Sequence, residues 1–203
     1  LPVPAVTVPH ARFVEQAKRH DQIVAALAGV DPALQKMVAE LVMMRLFDDF
    51  QDALSGIAAR LTCGATYGDG SVPALLTAPA TSIGAAMDLF TNHGRLKPRY
   101  PKWSKTKFIN ETTQNVMSAS DHFLAACSAH SLVISEMQAV RNRIAHANTT
   151  SRAAYSIVVR RYYGANLNHI SPGLFLMSPR FSPAKIEGYI SASRLIIKAC
   201  SRC

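Results

Sequence analysis

The chain has 203 residues, 49% of them hydrophobic and 17% charged, the composition of an ordinary globular protein with enough apolar side chain for a core. Its net charge of +9 is uneven: residues 1–90 hold six Lys or Arg against nine Asp or Glu, and residues 91–203 hold sixteen against four. A half that basic fits a polyanionic partner, nucleic acid before membrane, and equally a solvated basic surface.

No apolar run approaches the roughly 18–20 residues of a membrane span. The greasiest stretch, Ile23 to Val30, is rich in Ala and Gly. Leu1-Pro2-Val3-Pro4 has neither the basic start nor the apolar core of a secretory leader. With few cysteines, the expected setting is a reducing cytoplasm. Cys200 and Cys203 form a lone C-x2-C with no second ligand pair, so no metal site is expected there.

Residues 1–9 contain three prolines and are expected to be extended. From His10 to Leu27, the recurrence of Phe13, Ala17, Ile23 and Leu27 predicts a first helix, ended by Gly29. Asp31 and Pro32 supply an N-cap and a first helical residue for the next. There Leu34, Met37, Val38, Leu41, Phe47, Phe50, Leu54, Ile57 and Leu61 recur mostly at three and four, giving a long apolar stripe closed by Gly64. Asp48, Asp49 and Asp52 fall on its outer face and read as solvated charge.

Residues 64–107 read as a loop-rich, basic insert or connector within a single domain spanning 1–203. Its glycines are not a P-loop, because no Gly-Lys-Ser/Thr follows. A short helix is expected from Ser82 to Phe90. Arg95, Lys97, Arg99, Lys102, Lys105 and Lys107 then surround Tyr100 and Trp103. Basic residues interleaved with aromatics can hold phosphates and stack bases; the alternative is a connector anchored by Trp103. Ile109 to Ala126 reads as one helix with Ile109, Val116, Phe123 and Leu124 inward. Ser128 or Ser131 opens the next, whose buried face carries Val133, Met137, Val140 and Ile144. Residues 151–163 favour helix over strand. Residues 164–182 form a Gly/Asn/Pro loop, and Ser182-Pro183 caps a last helix with Ile186, Ile190, Leu195 and Ile196 inward. The fold class expected is all-α.

The residues able to carry chemistry end the Val133–Ile144 helix. Asn142 and His146 are four apart and share a face. Arg141 lies about 140° away around an unbroken helix. It meets His146 only if the helix loosens after Ala145 or a second copy supplies it. His beside Arg suits phosphodiester chemistry: imidazole relays protons near neutral pH, and guanidinium holds a phosphate by two hydrogen bonds. RNA brings its own 2′-hydroxyl nucleophile, so neither metal nor other cofactor is expected. A bare Arg-x4-His is weakly specific in a chain with fourteen arginines and seven histidines. The Asn directly after the Arg, the helix end and the basic half sharpen it.

Arg141-Asn142-Arg143-Ile144-Ala145-His146 resembles the R-x4-6-H signature of HEPN domains, in which a polar residue typically follows the Arg. The likeness is sharp at 128–150 and loose elsewhere, and is nearest to stand-alone HEPN proteins of the RiboL-PSP group. It implies a HEPN-like helical bundle, a homodimer that joins two motifs in one cleft, and metal-independent endoribonuclease activity leaving a 2′,3′-cyclic phosphate. It implies Arg141 and His146 as catalytic and Asn142 as the polar neighbour; Arg143, Asn148 and Arg152 beside them are expected to be supporting or RNA-binding residues. Such proteins act as toxins, antiviral defence effectors or RNA-processing enzymes, some with an antitoxin or defence-system partner. Toxins paired with a nucleotidyltransferase carry a tyrosine two residues after the His. Here that position is Asn148, which argues against that pairing. Two further readings stand beside the ribonuclease: a non-catalytic helical module binding RNA or protein, and a subunit docking an acidic antitoxin.

Overall fold

The computed structural model describes residues 4–165, 167 and 169–203. Within them the chain is all-helical, with helices α1 (Thr7–Ala25), α2 (Pro32–Thr62), α3 (Ile83–Asn92), α4 (Thr106–Thr113), α5 (His122–Ala129), α6 (Ser131–Ala145), α7 (Thr149–Tyr163), α8 (Pro172–Leu176) and α9 (Lys185–Ser201). The one β-type pairing among the described residues is an isolated antiparallel bridge between Leu75 and Met117. No single helix is long and apolar enough to cross a membrane.

Helix α2 is the spine. Asp31 opens it by accepting from the backbone N–H groups of Ala33 and Leu34 at 2.9 and 3.1 Å, and Pro32 occupies a position whose N–H has no helical partner anyway. Around α2 pack α1, α3, α6, α8 and α9. Phe47, Phe50, Leu54, Ile57 and Leu61 are buried as expected. The N-terminal part of the predicted stripe is not: Leu34, Met37 and Leu41 are exposed, and Ala39, Val42, Met43 and Leu46 face the core instead. A helix of this length drifts relative to its neighbours, so an apolar row begun at Leu34 rotates out of the contact.

Five other expectations change. Residues 1–3 lie outside the described residues, but α1 already starts at Thr7. Pro9 is tolerated in its first turn, where N–H groups are unpartnered. The inner face of α1 is Phe13, Ala17, His20 and Val24, and Ile23 is exposed; His20 is buried because its ring meets Asp49 at 2.8 Å. The helix expected over 109–126 breaks into α4 and α5. The break follows from Asp121, whose carboxylate caps α5 through the Phe123 N–H and also accepts from Tyr67 Oη and the Ala74 N–H, both from the far side of the chain. The 164–182 loop contains α8. Glu40 caps it by accepting from the Gly173 N–H at 2.7 Å, and a Cβ at residue 173 would stand 2.7 Å from the Lys36 carbonyl oxygen. Glycine is what lets α8 lie against α2. In α9, Ile186, Ile190 and Ile196 are buried but Leu195 is exposed.

The segment 64–107 is built into the core rather than appended to it. Tyr67, Ala86, Phe90 and Trp103 are all buried in the main cluster.

Candidate functional site: the turn between helices α6 and α7

Helix α6 ends at Ala145, and His146 leaves it in an extended conformation (φ −137°, ψ 126°) after donating its own N–H to the Asn142 carbonyl. Three residues later α7 begins. The Asn148 side chain accepts from the Ser151 N–H at 2.8 Å, and the Ser151 hydroxyl donates to the His146 carbonyl at 2.6 Å. These bonds pin a short turn, so the exposed His146 imidazole projects from a fixed backbone. Its ring makes no hydrogen bond to another described residue.

His146, Asn142 and Asn148 line a groove of about 330 Å³ between α6 and α7, together with Thr150, Lys105 and Arg161. At its floor lies Glu136, a buried carboxylate that the sequence reading missed. It accepts from Arg161 Nη1 (3.1 Å), Tyr162 Oη (2.8 Å) and Tyr189 Oη (2.7 Å). Burial first, and then the bond to Glu136, push the Tyr162 phenol up. Lys185 sits 3.3 Å over the Tyr162 ring, and burial lowers its pKa. No local signal could have revealed this cluster, because its members come from α6, α7 and α9. The groove wall also carries Leu132 and Ile157, both exposed.

Arg141 does not join His146. Its Nη2 is 3.5 Å from Asp48 Oδ1 of α2, and its Nη1 is 3.5 Å from Asn142 Oδ1. Asp48 lines a different cavity, of about 460 Å³, with Asp52, Met87, Tyr100 and Trp103. A hydrogen bond from Gln138 to Ser104 (2.8 Å) joins α6 to the segment bordering that cavity. The three aspartates expected as solvated charge differ among themselves. Asp48 holds Arg141, Asp49 accepts from Gln16 and pairs with His20, and Asp52 is exposed. Arg143 Nη1 approaches the His146 carbonyl at 3.5 Å. Arg152 is exposed one turn into α7.

The basic segment is mostly structural. Arg95 donates to the carbonyls of Glu111 and Thr112 at the end of α4, where a cation opposes the helix dipole. Arg99 and Lys107 both pair with Glu111, at 2.6 and 4.0 Å. Lys102 lies over the Phe108 ring. Trp103 is buried in a T-shaped contact with Phe90, with ring centres 5.4 Å apart, so it anchors the segment. Tyr100, 84% exposed, is the aromatic left open. Lys97 is exposed and Lys105 turns to the His146 groove.

Cys200 does not pair with Cys203: its sulfur lies 3.7 Å from that of Cys127, and both of these thiols are fully buried. Among the described residues no group of three or more His, Cys, Asp or Glu side chains is placed to hold a metal ion. No family model matches the chain, and no curated protein or solved structure matches it significantly.

Proposed function

We propose that this chain is a metal-independent endoribonuclease of the HEPN kind. The observation that carries the reading is His146. It is an exposed imidazole without a hydrogen-bond partner among the described residues, held on a pinned helix end beside Asn142, in a groove that also presents Lys105 and Arg161. An imidazole so placed has both ring nitrogens open to a ligand.

In this mechanism the RNA 2′-oxygen attacks the adjacent phosphorus and the P–O5′ bond breaks. A base takes the 2′-hydroxyl proton and an acid protonates the departing 5′-oxygen, leaving a 2′,3′-cyclic phosphate. His146 performs one of these transfers, and the His146 of a second copy performs the other. Arg141 holds the phosphate whose negative charge grows in the transition state. To do so it exchanges Asp48 for the phosphate, a small cost for a half-exposed pair at 3.5 Å. The biological role that fits is a toxin or antiviral defence effector, with an antitoxin or defence protein as partner.

The Arg141–Asp48 pair favours a second reading, a HEPN-like module that binds RNA or protein in the same groove without cutting. The two readings separate on a mixed RNA pool incubated in EDTA with the wild type and with His146→Ala. The ribonuclease reading predicts fragments from the wild type alone. Binding without fragments from either protein selects the second reading.

A further inference from the structure

On the other side of the α6–α7 hairpin lies a cavity of about 390 Å³ that the mechanism above does not use. Arg143, Arg152 and His169 line it, and no Asp or Glu side chain among the described residues does. The apolar part of the lining is the half-buried Leu167, with Val159, Ile170 and Pro172 buried beside it. Tyr155 stands at the back, fixed by donating its hydroxyl to the Ser171 carbonyl at 3.1 Å. Glu40, whose charge acts on Tyr155, is engaged by the Gly173 N–H.

Two guanidiniums without a carboxylate partner fit a phosphate, which they can hold by paired hydrogen bonds. The apolar wall fits a flat ring, and the volume is that of an ordinary small-ligand site. Arg143 also ties the cavity to the chemistry, because its Nη1 reaches toward the His146 carbonyl. We infer that this cavity binds one nucleotide, its phosphate held by Arg143 and Arg152 and its base against the half-buried Leu167. Within an RNA strand, that nucleotide would position the neighbouring phosphodiester at His146. The inference rests on RNA being the partner in the reading above, and does not rest on turnover.

Arg152 is the residue to test. It is exposed and its side chain has no hydrogen-bond or ion-pair partner among the described residues, so its truncation spares the fold. The experiment uses the full chain carrying His146→Ala and a fluorescent 2′-O-methyl oligoribonucleotide, so that no cleavage intervenes. Anisotropy is read across a salt series, with adenosine monophosphate as a second, competing probe. Arg152→Ala should weaken oligonucleotide binding at least about fivefold and lower the salt slope by about one, and Arg152→Lys should restore part of the loss. Lys18→Ala, an exposed cation on α1, should stay within about twofold of the parent. Competition by the mononucleotide would show that the cavity also takes free nucleotide; its absence, with the Arg152 loss intact, assigns the cavity to strands. Equal binding by the Arg152→Ala and Lys18→Ala proteins, or no binding of either probe by the parent, overturns the inference. The first result leaves the ribonuclease reading standing, whereas the second also counts against RNA as the partner.

Discussion

Arg141 reaches back to Asp48 of α2 at 3.5 Å, while His146, five residues on, lines a separate groove. Helix α6 therefore divides the two residues that the Arg-x4-His spacing brings to mind together. The division makes Asp48 a restraint on Arg141. Asp48→Asn should leave stability within about 1 kcal/mol, because the pair is partly exposed. It should also raise the rate of RNA cleavage, because Arg141 no longer has to be released. Thermal melting and initial cleavage rates check the two parts separately.

Glu136 gathers Arg161, Tyr162 and Tyr189 with its own side chain only 4% exposed. Removing it strands two phenols and leaves Arg161 without its carboxylate. Glu136→Ala should cost on the order of 3 kcal/mol, seen as a lower urea midpoint. Glu136→Gln keeps the shape and acceptor capacity and should cost less.

Burial raises the phenols of Tyr67, Tyr155, Tyr162 and Tyr189 above their ordinary range, helped by Asp121 at Tyr67 and by Glu136 at Tyr162 and Tyr189. Each keeps its proton to higher pH in the folded chain than in the unfolded one. The contribution is thus fully present below a pH of about 10. Above it the unfolded state binds fewer protons, so stability falls as pH rises. Melting temperature should be flat across neutral pH in this respect and should decline steeply beyond about pH 10.

Trp103, the chain's one tryptophan, is a core residue. Trp103→Ala should cost about 3–5 kcal/mol. Tyr100→Ala, at an open position, should stay within about 0.5 kcal/mol.

What was legible in the sequence was local. Asp31-Pro32 opens α2 within three residues of chain, and the α6 end near Ala145 follows from a buried face that runs out at Ile144. What was illegible depends on partners far along the chain. Asp121 breaks a good helical pattern because Tyr67 and Ala74 bring it donors from about fifty residues away. Glu136 looks like any surface glutamate until α7 and α9 close on it. The basic run at 95–107 carries the composition of an RNA surface, yet Glu111 and the α4 carbonyls engage Arg95, Arg99 and Lys107. Charge counting cannot see which cations are already taken. His146 sits at the helix end as expected. The side of α6 taken by Arg141 was set by Asp48, ninety-three positions earlier.

The most direct test of the central claim compares an oligoribonucleotide with its fully 2′-O-methylated counterpart, each incubated in EDTA with the wild type and with His146→Ala. The account predicts that only the wild type cuts, that it cuts only the RNA, and that the upstream fragments end in a 2′,3′-cyclic phosphate. Equal cutting of the RNA by His146→Ala, or cutting of the methylated strand, would contradict it.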